Sequence, residues 1–203
     1  MTAGLVACIL DKSHKLEKRD IHRLTGPFED GVTADDNQKL ANYHHSQHTQ
    51  MSKEKEDLEH VAEAQRKALQ TTQNAPKSII PGVAQSQQKR VEDNQNDLAK
   101  TMESIRRTQN LIQHHEAGLL AHSKAATAKK AGRGPLGRED VEHAVLNWDE
   151  ALNHIEMNVD PMNSMETRVI QTARAKADEG RVHADRRVDA EHRKNQVTPK
   201  DHH

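Results

Sequence analysis

The sequence predicts an all-α protein, an elongated antiparallel helical bundle or coiled coil of about three long helices plus a short N-terminal helix. The first observation behind this prediction is a small supply of core residues: 33% of the 203 residues are hydrophobic, and Trp, Tyr and Phe occur once each. The second is that long stretches contain no helix-breaking residue. The third is that apolar residues recur every seven positions in two stretches, which is typical of helices that pack along their length.

The longer heptad pattern organises the middle of the chain. It starts at Ala84, and nothing in it disfavours a helix except Gly118, which costs roughly 1 kcal/mol relative to Ala. A second column lies nearer the C-terminus. Together the two columns predict a core or interface seam whose members are Val91, Leu98, Ile105, Ile112, Leu119, Val141, Trp148 and Ile155.

The other seam position of the long heptad is polar throughout. Three residues after each apolar position come Gln87, Asn94, Thr101, Thr108, His115 and His122. If His115 and His122 were buried they would be neutral at pH 7, and packing would weaken below about pH 6. The alternative, which the polar pattern favours, is a hydrated rim. Polar seam layers can also set register or oligomeric state.

Pro, Gly and capping residues predict the boundaries of the elements. We expect an N-terminal helix and connector over 1–32, a long-helix bundle over 33–195 and a disordered tail over 196–203. Within the bundle the predicted helices cover about 34–74, 84–128, 138–159 and 162–193. Thr33 followed by Asp36 resembles an N-cap, and Asp160-Pro161 interrupts the last helical region.

Composition argues against several functional classes. Thirty basic against 31 acidic residues leave a net charge of −1. The chain therefore lacks the excess of positive charge that would predict nucleic-acid binding. A single Cys indicates no oxidising compartment, and no segment is apolar enough to span a bilayer. We therefore expect a cytoplasmic protein.

One linker is locally basic. Residues 129–137 read KKAGRGPLG, and with Lys124 and Arg138 they gather five cations without an acid. Such a stretch could hold phosphate or RNA. A solvated hinge is the favoured interpretation, because no aromatic side chain offers a base a stacking surface.

Fifteen histidines justify a metal hypothesis. His44 and His48 share a helix face at i,i+4, a spacing that can hold zinc, nickel or copper. His60 and His143 end two of three D-x-E-H tetrads, which place Asp and His on one face. Because the tetrads turn these side chains away from the predicted seam, a solvated polar face is favoured over a metal site.

The sequence predicts a non-enzymatic protein that acts by interaction, scaffolding or assembly through its heptad seams, with a protein partner or a second copy and no cofactor. It contains none of the common nucleotide-binding, nucleophile or metalloprotease motifs. One alternative is a largely disordered stress protectant, because the composition resembles that of late-embryogenesis-abundant proteins. The other is a His/Asp-rich metal-binding bundle.

Overall fold

The computed structural model describes residues 24–76, 79–130, 138–160 and 162–197, and all regular secondary structure in these ranges is helical. Four helices follow one another: α1 (Ala34–Asn74), α2 (Pro81–Lys130), α3 (Arg138–Glu156) and α4 (Ser164–Val197). The all-α fold class is confirmed, with three long helices and one shorter one. The predicted N-terminal helix lies outside the described residues.

Local sequence explains where the helices begin. The Thr33 hydroxyl accepts a hydrogen bond from the Asp36 backbone N–H, and the Asp36 carboxylate accepts one from the Thr33 N–H. This reciprocal capping arrangement satisfies donors that the first turn of α1 leaves unpaired. The Asn163 side-chain oxygen accepts hydrogen bonds from the backbone N–H groups of Met165 and Glu166 at the start of α4. The helical region is interrupted around Asp160, between Glu156 and Ser164, and the restarted helix is capped by Asn163 instead of Asp160.

The chain divides into two compact units, each containing part of α1 and part of α2. The first unit comprises, among the described residues, 50–76 and 79–109. Its two helical segments run antiparallel: Asn94 donates to Thr72, and Arg66 donates to the sulfur of Met102. Its buried residues are few and partly polar, namely Leu58, Val61, Ala62, Thr101, Ser104 and Thr108.

The second unit comprises residues 24–49 and, within the described ranges, everything from Asn110 onwards. Its aliphatic core is assembled mainly from small residues of α2 and larger ones of α3, and α4 closes it. Trp148, Leu152 and Ile155 are fully buried there. Arg174 of α4 donates to the side chains of Asn153 and Glu156 of α3, which fixes the antiparallel register of these two helices.

The predicted seam residues are buried to different extents. Ile112, Val141, Trp148 and Ile155 are buried, whereas Val91, Leu98, Ile105 and Leu119 are half-buried. The most buried column of α2 is instead the polar one. Thr101, Thr108, His115 and His122 each expose 3% or less of their surface. The preference for a hydrated polar rim was therefore wrong at these positions.

Candidate functional site

Four histidines meet in the interior of the second unit, and we call them the histidine cluster: His44, His114, His115 and His122. His44 comes from α1 and the other three from α2. Every one of the four rings is at least 97% buried. The rings of His44 and His115 lie 5.2 Å apart between centroids, and those of His44 and His122 are stacked at 5.4 Å.

Helical geometry explains how α2 contributes three of these rings. His115 and His122 are seven residues apart and so lie on the same face of the helix, the face directed at α1. His114 is rotated by one residue and is directed at α3, where its Nδ1 lies 2.7 Å from the backbone carbonyl of Ala151.

Gly118 is the residue that lets His44 approach α2. A Cβ atom at this position would lie 2.5 Å from Cε1 and 2.6 Å from Nδ1 of the His44 ring. Contacts of that length do not occur between non-bonded carbon and nitrogen atoms. Glycine is therefore required at this position in the helix interior, because any larger residue would displace the His44 imidazole.

Hydrogen bonds determine the tautomers of two rings. A backbone carbonyl can only accept, so Nδ1 of His114 carries the proton that it donates to Ala151. The Asn37 amide nitrogen donates to the carbonyls of Pro27 and Thr33, so its oxygen accepts from Nδ1 of His122 at 2.8 Å. Nε2 of His114 and Nε2 of His122 consequently carry lone pairs when these rings are neutral.

His44 and His115 are joined directly. Their Nδ1 atoms lie 3.0 Å apart, so one ring donates to the other. Nε2 of His44 and Nε2 of His122 are both buried without a hydrogen-bond partner among the described residues. An unsatisfied buried polar atom costs about 1–3 kcal/mol, and two of them in one cluster require an explanation.

Three rings of the cluster, those of His44, His115 and His122, are held in the neutral form. Burial, and after it the neighbouring His114 and His48, lower the pKa of His115 to about 3. Burial, Lys129 and His114 lower the pKa of His122 to about 3 as well. Burial and the other three rings lower the pKa of His44 well below its ordinary value. His44, His115 and His122 are therefore neutral across the physiological pH range.

One combination in the described part of the chain has the spacing of a metal site. His44, His114 and His115 each offer one nitrogen atom, and these three atoms lie within 4.8 Å of one another. Zinc binds imidazole nitrogens at about 2.0–2.1 Å, which puts two such ligands roughly 3.4 Å apart in a tetrahedron. Small ring movements would bring the three nitrogens to that separation.

The predicted metal residues are distributed unevenly. His44 belongs to the cluster. His48 is half-buried and outside the group of three, while His60 and His143 are exposed. Sequence reasoning missed His114 altogether and treated His115 and His122 as hydrated. The available signal was the pair of adjacent histidines followed by a glycine and a further histidine on the same face.

Comparisons with known proteins return no relative: no protein-family model, no curated protein and no solved structure matches this chain. Among the described helices, none combines the length and apolar character needed to cross a membrane.

Proposed function

We propose that this protein binds a transition-metal ion through His44, His114 and His115. The observation that carries the proposal is the convergence of three buried imidazole nitrogens from two helices within 4.8 Å of one another. This function develops the metal-binding alternative of the sequence analysis. The ligand set is new, except for His44.

The surroundings of the ligands support a metal site. A histidine that binds metal usually donates its other ring N–H to a carbonyl or carboxylate, which fixes the tautomer and orients the ring. His114 makes such a bond to the Ala151 carbonyl. Ligation through the unpartnered Nε2 of His44 would give that buried atom a partner. The Nδ1–Nδ1 hydrogen bond between His44 and His115 would break in exchange, because His115 must then give its lone pair to the metal.

The donor types narrow the class of metal. Three neutral imidazoles with no thiolate and no carboxylate suit zinc, copper, nickel or cobalt ions. Magnesium and calcium prefer oxygen ligands and do not fit the set. Because the pKa of His115 is about 3, protons compete weakly for its lone pair at neutral pH.

A bound ion would connect distant parts of the chain. His44 and His115 are 71 residues apart in sequence. A metal that binds the folded state alone stabilises it by about 2.7 kcal/mol at a hundredfold excess over the dissociation constant. We infer a structural role in holding α1 against α2, and the predicted absence of enzymatic activity stays a prediction.

Thermal unfolding with and without zinc tests the proposal. We expect Zn²⁺ to raise the melting temperature of the full chain with one-to-one stoichiometry, and Co²⁺ to give the absorption bands of a nitrogen-ligated site. His115→Gln should remove both effects, whereas His60→Gln, on an exposed part of α1, should keep them. Equal zinc responses in both variants, or none in the natural protein, would refute the site.

A protein-interaction function is a second candidate. The sequence predicted it through the heptad seams, whereas exposed aliphatic residues at the start of α2 favour a different surface in the first unit. Ile79 is 98% and Ile80 65% exposed, and Val83 follows them on the surface. Adjacent exposed aliphatic residues of this kind form an apolar patch, and contiguous apolar patches mark protein–protein interaction sites. Self-association measured by sedimentation equilibrium should weaken in an Ile79→Ser/Ile80→Ser double variant. Met162→Ser, at an equally exposed position of the second unit, should leave it unchanged.

A further inference from the structure

A cavity in the second unit, away from the histidine cluster, has the character of an anion-binding pocket. It encloses about 420 Å³ between the loop before α1, the last turn of α2 and the C-terminal half of α4. That volume is within the range of pockets that hold small organic ligands. The cavity is separate from the histidine cluster, and none of the four clustered rings lines it.

Lys129 forms the base of this pocket. Its ammonium group donates to the carbonyls of Pro27 at 2.7 Å and Val32 at 2.6 Å, which fixes its position beneath the loop. It also lies 5.4 Å from the centre of the Phe28 ring. An ammonium group has three N–H donors, so two carbonyl acceptors leave one donor for a ligand.

Three cationic side chains line the pocket, Lys129, Arg186 and Arg187, and no carboxylate in the lining pairs with any of them. Burial and the nearby Arg187 lower the pKa of Lys129 to about 8, and Asp36 opposes them only in part. Within the described part of the chain, neither Arg186 nor Arg187 forms an ion pair, although both line the cavity. A pocket that brings together an ammonium and two guanidinium groups in this way favours an anionic ligand.

Neither of the two acidic residues that line the pocket pairs with its cations. Glu29 accepts a hydrogen bond from the Gly26 backbone N–H and forms an ion pair with Lys176. Asp30 is exposed to solvent. The rest of the wall is apolar: Phe28 provides an aromatic surface, and Val32, Ala184 and Ala190 provide aliphatic ones. An organic ligand with one anionic end fits this division better than a free inorganic ion.

We propose that this pocket binds a small organic phosphate, with the phosphate on Lys129 and Arg187 and the organic part on Phe28. Phosphate suits paired cations because its oxygens accept several charge-assisted hydrogen bonds at once. Lys129 belongs to the basic stretch that the sequence singled out as a possible phosphate-binding segment. The proposal does not depend on metal binding by the histidine cluster.

Calorimetric titration of the full chain with phenyl phosphate tests this inference. We expect saturable binding that weakens as salt rises, tighter than that of inorganic phosphate, and no binding of benzyl alcohol. Arg187→Gln should weaken the affinity about tenfold, as expected for the loss of a charge-assisted hydrogen bond. Arg181→Gln, on the same helix but outside the cavity, should leave the affinity unchanged.

Three results would overturn the proposal: no binding of phenyl phosphate at millimolar concentration, equal affinities in the Arg187 and Arg181 variants, or equal affinities for phenyl and inorganic phosphate. Phe28→Leu tests independently whether the organic part of the ligand packs on Phe28. It should reduce phenyl phosphate affinity and leave inorganic phosphate affinity unaltered. Circular dichroism of each variant verifies that the helices are intact.

Discussion

The buried polar column of α2 is constructed differently in the two units. In the first unit it consists of the hydroxyls of Thr101 and Thr108. Thr101 donates to the Asp97 carbonyl, and the adjacent buried Ser104 donates to the Lys100 carbonyl, each four residues earlier in the same helix, whereas the Thr108 hydroxyl has no partner among the described residues. In the second unit it consists of the imidazoles of His115 and His122. A hydroxyl can be satisfied by its own helix, whereas an imidazole is too large and depends on groups from other helices.

The difference suggests a criterion for buried polar residues that bind a ligand: their polar atoms are not satisfied by hydrogen bonds within their own helix. Bonds within one helix make Thr101 and Ser104 compatible with a thin core and require nothing else. The histidines keep lone pairs directed into the interior, and Nε2 of His44 and of His122 have no partner in the described structure. Burial alone does not separate the two cases, because both sets are equally inaccessible.

The largest expected difference between the hydroxyl part and the histidine part of the column is the effect of pH on the free energy of unfolding. The pKa values of His115 and His122 are about 3, below the value near 6.5 expected for histidine in the unfolded chain. The folded state therefore excludes protons that the unfolded state binds. The stabilisation is complete above pH 6.5 and is lost as pH falls from there towards 3. The loss is about 1.4 kcal/mol per pH unit for each histidine.

Urea unfolding at pH 7.5, 6 and 5 measures this dependence in the absence of metal. His122→Gln should reduce the slope of the unfolding free energy against pH by the contribution of one histidine. His60→Gln, which removes an exposed imidazole, should not change it. A free energy that is constant over this range would show that the clustered rings are not buried in the neutral form.

The next largest effect concerns glycine. Gly118→Ala should destabilise the chain by about 1–3 kcal/mol, because the new methyl group overlaps the His44 ring. The same change should abolish the zinc response by displacing a ligand. Gly82→Ala provides the matched control in the first unit, since nothing lies within 4 Å of a Cβ there.

Gly82→Ala is expected to stabilise α2 by up to about 1 kcal/mol, the usual gain of alanine over glycine in a helix. Thermal melts of the two variants make the comparison. If Gly118→Ala were also stabilising, the close approach of His44 to α2 would be incorrect.

The smallest expected effect is the change in stability when a buried threonine of the column is replaced by valine. Thr108 is buried and its hydroxyl has no partner among the described residues, so Thr108→Val should stabilise the chain by about 1 kcal/mol. Thr101→Val should change stability by less, because the hydroxyl that it removes is satisfied within the helix. Chemical unfolding of the two variants would contradict this account if Thr101→Val gained more than Thr108→Val.

Helix positions could be predicted from the sequence because their determinants are local. The Thr33 cap and the break at Asp160 are visible as residue types, and the predicted span 34–74 agrees with α1, whereas α2 begins at Pro81, before its predicted start at 84. The innermost face of α2 could not be predicted. A hydrophobicity pattern ranks Val91 and Leu98 above Thr101, yet hydroxyls that bond to their own helix can occupy the centre and leave the aliphatic residues half-buried.

The histidine cluster was predictable only in part. His44 and the His115–His122 pair stand out in the sequence, but bringing them together requires the register between α1 and α2 across 71 residues. No local pattern encodes that register. His114 was missed for a related reason: its partner is the Ala151 carbonyl, a backbone group that every residue possesses and that no motif can mark.

Trp148, the only tryptophan of the chain, lies against the histidine cluster. Its ring centre is 5.1 Å from that of His122 and 6.2 Å from that of His44, and the side chain is 98% buried. The protein thus contains a single indole fluorophore, beside its candidate ligands. Paramagnetic Cu²⁺ at the site would quench its emission, whereas opening of the second unit would shift that emission to longer wavelength. Occupancy and unfolding could therefore be followed separately, in one unlabelled sample.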